Sequence, residues 1–94
     1  MTEAPLRDAE LDELQALLDA ASPAPWESFV EGRDHYSGDN FIRLGGLDDS
    51  QPDMYVSHDT RPAPPSDQDL IAAARNSLPR LIAEVRQRRA AESS

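Results

Sequence analysis

Apolar residues near the C-terminus recur at Leu70, Ile71, Ala74, Leu78, Leu81, Ile82 and Val85, which is one helical face across four turns. Ser66 reads as the N-cap of this helix, with Asp67 and Asp69 in the first turn. Pro79 interrupts the pattern. Inside a helix it removes a hydrogen bond and clashes with the preceding turn, at about 3 kcal/mol. The cheaper arrangement is a helix over 67–75, a kink or break at Asn76-Ser77, and a second helix over 78–90 with Pro79 in its first turn. The apolar face runs through the break, so both halves are expected to pack on one core.

A second helical stripe lies near the N-terminus. Leu11, Leu14, Leu18 and Ala21 share a face, with Leu6 and Leu17 beside it, which predicts a helix from about Leu6 to Ala21. Pro5 suits its first turn. Ser22-Pro23-Ala24-Pro25 stops it, because proline disfavours helical geometry at the residue before and Pro25 keeps the linker extended. Between the helices the period changes to two. Trp26–Glu31, Phe41–Leu44 and Met54–His58 read as short strands, separated by the turn signals Ser37-Gly38-Asp39-Asn40 and 48–53. Gly45-Gly46 ends or bulges the second strand. Residues 59–65 read as a Pro-rich extended linker. The expected architecture is one α+β domain over residues 1–94: an N-terminal helix, a three-stranded antiparallel meander, and a kinked or broken C-terminal helix on one sheet face. The ends, 1–5 and 90–94, are expected to fray.

Charge sharpens this picture. The net charge is −9, and residues 1–69 hold 16 acids against 4 arginines, while residues 70–94 hold 2 against 5. An acidic body repels nucleic acid and anionic membrane, so neither is an expected partner. The late arginines suit the negative end of a helix dipole, or contact with the acidic half of this chain or of a second copy. There is no cysteine, hence no disulfide, thiol nucleophile or cysteine zinc site. No apolar run reaches the roughly 20 residues a membrane helix needs. Residues 1–5 lack the apolar core of a secretory signal. A cytoplasmic protein is the expectation.

Two segments carry a resemblance. Ala21-Ser22-Pro23-Ala24-Pro25-Trp26 is similar to an A-T-P-G-P-W element that follows a first helix, and the run from Asp69 to Val85 is similar to D-A-E-F-I-A-A-A-R-T-D-V-P-A-L-L-A-E-V. Both patterns occur, in this order and at this separation, in a group of small actinobacterial and phage proteins, and phage Ead-like proteins share a looser form. The chain departs at Ala24, commonly Gly, and at Leu70, commonly Phe. Segment 27–65 lies outside the resemblance, which implies phage or mobile-element ancestry and brings no catalytic residues with it.

Candidate chemistry is sparse. His35 and His58 are the only histidines, and no ligand spacing frames them, so no metal is expected. The acidic turn 48–53 lacks the oxygen spacing, the central glycine and the terminal glutamate of a calcium loop. No Gly-x-Ser-x-Gly element frames a nucleophile, and Gly45-Gly46 lacks the context of a phosphate cradle. No catalytic residue, cofactor or enzymatic activity is expected. Trp26 reads as a core anchor that holds the first helix against the sheet. Leu78, Leu81, Ile82 and Val85 are partly heptad-like; a second copy of the chain, or the sheet and first helix, would cover them. The leading expectation is a non-enzymatic accessory protein of phage or prophage type that binds a partner protein. An acidic inhibitor or immunity-like protein covering a basic surface is the alternative. A small-ligand sequestering protein, with Tyr36, Tyr55, Arg43 and Arg61 lining a pocket, is a third.

Overall fold

Six elements follow one another along the chain: α1 (Asp8–Ala20), β1 (Trp26–Phe29), β2 (Phe41–Leu44), β3 (Ser57–His58), β4 (Arg61–Pro62) and α2 (Pro65–Ser93). This computed structural model describes residues 4–36, 38–47 and 50–93. Their packing forms two compact units, Met1–Ala21 with Leu78–Ser94, and Ser22–Ser77.

In the helical unit, α1 starts two residues later than its apolar pattern suggested. The Glu10 carboxylate accepts hydrogen bonds from the Arg7 backbone N–H at 3.0 Å and from Arg7 Nε at 3.1 Å, which makes Arg7 the N-cap and leaves Pro5 outside. The Arg7 backbone N–H, and then its guanidinium, hold the Glu10 carboxyl below its usual range. Leu11 and Leu18 bury against Ile82, with Leu14, Leu78 and Val85 packed around them. The ion pairs Asp8–Arg89 and Asp12–Arg86, each 2.7 Å, set the two helices antiparallel, since the numbers rise along one as they fall along the other. So Arg86 and Arg89 answer the acids of α1. Both pairs are exposed and contribute at most about 1 kcal/mol each.

In the second unit β1 and β2 form an antiparallel hairpin in the register Trp26↔Leu44 to Phe29↔Phe41. β2 falls where alternation put it, and Ile42 and Leu44 are both buried, as their shared face required. β1 is shorter than expected. Gly45 and Gly46, both at positive φ, end β2, and their N–H groups converge on the Pro25 carbonyl at 3.0 and 3.3 Å. At φ 65 a side chain at Gly46 would be strained, although its Cβ would only reach van der Waals contact with the Pro25 ring at 3.4 Å.

The expected third strand is not one strand. Met54 bonds Ile42 in both directions, at 2.8 and 2.9 Å, as an isolated bridge on the other edge of β2. The chain then enters a separate two-stranded sheet, β3 with β4. The cause is the Asp59-Thr60 turn, with Asp59 at φ 40, which folds Arg61-Pro62 back onto Ser57-His58 and takes up their hydrogen bonds. Aspartate is one of the few side chains that tolerates this geometry. The expected linker 59–65 therefore contains β4, with Pro62 on an edge strand.

The C-terminal helix is also corrected. α2 is continuous from Pro65 to Ser93 with Pro79 inside it, so the expected break at Asn76-Ser77 is absent. Asn76 does not serve as a cap because both ends of its amide are bound elsewhere, as described below. The flanking run of Ala, Leu, Arg, Gln and Glu is strongly helix-forming. The helix also starts earlier: Pro65 supplies a preset first position, and the Pro64 carbonyl, rather than a Ser66 cap, accepts the N–H groups of Asp67 and Gln68. The helix extends through residues 90–93. The face does not serve one core. Ala72 buries with Ile42 and Leu44 in one cluster, and Ile82 with Leu11 and Leu18 in another.

Parts of three expectations, the turns at Ser37 and Asp48-Asp49 and the termini at 1–3 and Ser94, lie outside the described residues.

Candidate functional site

The helix face turned to the β1–β2 hairpin is polar at both ends. Gln68, Ala72 and Asn76 stand four residues apart and share it. Gln68 is 1% exposed, and its side-chain nitrogen reaches Ser28 Oγ at 2.8 Å, Phe41 O at 3.1 Å and Phe29 O at 3.2 Å. Asn76 grips the other end. Its Oδ1 accepts from the Trp26 backbone N–H and its Nδ2 donates to the Trp26 carbonyl, both at 2.8 Å. Ala72, small and buried, lets the sheet approach between them.

Beside this face lies an ion network. Arg33 forms a two-pronged pair with Asp69 at 2.8 and 3.0 Å and donates through Nε to Asp34 at 2.9 Å. Arg33, and then the Ser28 hydroxyl, hold the Asp69 carboxyl at about 2. Asp34 is lowered chiefly by the Val30 backbone N–H, and the Arg33 guanidinium is pushed up by its two carboxylates. A carboxyl depressed by folding stabilises fully above its unfolded value, near 3.8, and that contribution is lost as the pH falls towards about 2. Acid unfolding followed by Trp26 fluorescence should therefore show a steeper loss between pH 4 and 2 in the native chain than in Asp69→Asn. Superimposable profiles would remove Asp69 from the acid response.

Strand alternation sends a different set of side chains to the far side of the hairpin. Phe29 and Phe41 stack there with centroids 5.2 Å apart, and the Arg43 guanidinium lies 4.6 Å over the Phe29 ring. Tyr55, 63% exposed, and His35 both lie tilted against Phe41, with centroids 6.3 and 5.6 Å away. The chain has two phenylalanines and two tyrosines, and three of these four rings gather here. Next to Tyr55 is a cleft of about 380 Å³ lined by Asp39-Asn40, Tyr55–Ser57 and Asp59–Pro62.

The residues singled out from the sequence are placed as follows. Trp26 packs on the Ile42–Leu44–Ala72 cluster and donates its indole N–H to Ser22 O. Ile82 is buried against α1 with Leu78 and Val85 beside it, so of the four proposed interface residues Leu81, 53% exposed, is the outward one. Tyr55 and Arg61 line the cleft together; Arg43 belongs to the aromatic face; Tyr36 is fully exposed in the 30–40 connection. His58 Nε2 meets Asp67 at 3.0 Å. Among the described residues, no group of three or more His, Asp or Glu side chains is arranged to hold a metal ion. No described helix is long and apolar enough to cross a membrane. The sequence reading missed the aromatic face because Phe29 and Phe41 fall in different strands; their pairing needs the hairpin register. Comparison with protein-family models, curated proteins and solved structures gives no match.

Proposed function

We propose that this protein is a non-enzymatic binding module, of the phage or mobile-element type its sequence resembles, which docks a partner protein through the outer face of the β1–β2 hairpin. The observation that carries the reading is the Phe29–Phe41–Tyr55 cluster with Arg43 laid across it. Aromatic and arginine side chains are those most enriched at the energetic centres of protein interfaces. In a chain with so few large apolar residues, gathering three rings on the face away from the helix supports recognition rather than core formation.

Charge supports a basic partner. Glu27 stands opposite Arg43, Asp39 and Asp59 line the cleft beside Tyr55, and none of the three acids is in an ion pair among the described residues, whereas Arg33 is taken up by Asp34 and Asp69. An inhibitor or immunity-like role is the form of this reading in which the basic partner is itself a nucleic-acid-binding protein, and steep salt dependence of association would mark it. The test is crosslinking capture from the native host with wild-type and Arg43→Glu/Tyr55→Ala baits of equal melting temperature. The wild type should enrich a partner that the double variant loses. Equal recovery by both overturns the docking face.

A further inference from the structure

Resting on that reading, we infer that the cleft beside Tyr55 receives a basic side chain of the partner, a guanidinium or an ammonium on a long stem. The cleft is assembled from three pieces of chain: Asp39-Asn40 leading into β2, Tyr55–Ser57, and the Asp59–Pro62 turn and strand. Its walls are fixed by the fold. Asn40 Oδ1 accepts the Glu31 backbone N–H at 2.8 Å, and Ala63 N–H bonds Val56 O at 2.9 Å, one register step beyond Ser57↔Pro62. At about 380 Å³ it sits near the small end of ligand-sized cavities and has room for one long side chain.

The chemistry of the lining selects the sign of the occupant. Asp39 and Asp59 bring two carboxylates against the single guanidinium of Arg61, and none of the three is in an ion pair among the described residues. The chain as a whole carries −9. A phosphate or carboxylate would meet two like charges for one opposite one. A cation meets the reverse, with the exposed Tyr55 ring as a surface to stack on and Ser57 and Thr60 hydroxyls as acceptors. Because Tyr55 also borders Phe41, a partner seated on the aromatic face has a path for a neighbouring Arg or Lys into the cleft.

The test is a titration of the ¹⁵N-labelled full chain with N-acetyl-arginine amide, with N-acetyl-glutamine amide as the neutral control. Saturable shifts of the Asn40 and Tyr55–Arg61 amides are expected with the arginine probe alone. Asp39→Asn/Asp59→Asn should weaken binding about fivefold; asparagine keeps the left-handed turn at 59. Arg61→Gln should tighten it, because it removes a like charge, whereas an anion site would weaken. Absent or unsaturated shifts, equal shifts with the neutral probe, or weaker binding by Arg61→Gln overturns the assignment. Partner capture that needs Arg43 and Tyr55 but survives Asp39→Asn/Asp59→Asn also overturns it, and leaves the docking face standing.

Discussion

A Gln68→Leu variant should unfold about 1–3 kcal/mol more easily than the native chain. Leucine nearly matches the volume, so the loss is electrostatic rather than steric. The Gln68 amide donates to Phe29 O, Phe41 O and Ser28 Oγ from a site that is 1% exposed. Removing the donor takes a second hydrogen bond from two carbonyls already paired in the Phe29↔Phe41 register, and the bond to Ser28, at about 0.5–1.5 kcal/mol each. The added apolar burial offsets part of this, by about 1–2 kcal/mol. Urea unfolding read by Trp26 fluorescence measures it: the midpoint should fall while the slope holds. Ser28→Ala removes one of the three acceptors and should cost less, since the amide keeps both carbonyls. A Gln68→Leu midpoint equal to the native one would mean that the clamp contributes nothing.

That clamp also marks the limit of what the sequence discloses. Periodicity finds faces by apolarity, and the stripes of α1 and of the late part of α2 were readable because leucine, isoleucine and valine carry them. The β2 segment and its Gly45-Gly46 stop were readable for the same reason, a strict alternation closed by residues that take positive φ. On the early part of α2 the face turned to the hairpin carries Gln68 and Asn76 around Ala72, two amides that a hydropathy pattern assigns to solvent, while of the apolar stripe Ile71 packs on that core and Leu70 is 68% exposed. The available signal was spacing: two amides at i and i+8 around an alanine suit a helix that must satisfy strand-end backbone groups. Pro79 misled for a related reason. Its local cost is real, but Asn76 is committed to Trp26, so a break there would forfeit two hydrogen bonds. The third strand failed because a two-residue turn at Asp59-Thr60 competes with the meander for the same backbone groups. The aromatic face and its cleft needed the register of β1 on β2, which alternation within one strand does not supply.

Trp26→Ala should cost about 3–4 kcal/mol, enough to lower the melting temperature by more than about 10 °C in a chain of this size. Three contributions are lost together. The ring packs on the Ile42–Leu44–Ala72 cluster, the indole N–H donates to Ser22 O at 3.1 Å, and the Arg75 guanidinium lies 5.7 Å from the ring centroid. Arg75 itself donates to the same Ser22 carbonyl at 3.2 Å, so the tryptophan and the arginine together fix the entry into β1. The ring is only half-buried, which keeps the expected loss below that of a fully enclosed tryptophan. The Asn76 grip acts on the Trp26 backbone rather than its ring, so Asn76→Ala, expected to cost about 1–3 kcal/mol, removes a different contact, and the double variant measures the coupling between these two bonded residues. Trp26→Phe keeps most of the apolar contact and loses the indole donor, and should fall between native and alanine. Calorimetry on the three variants decides the point, because their own fluorescence is altered. A Trp26→Ala melting temperature within about 2 °C of the native value would show that this ring lies on the fold without holding it, and the anchor role would pass to Asn76 alone.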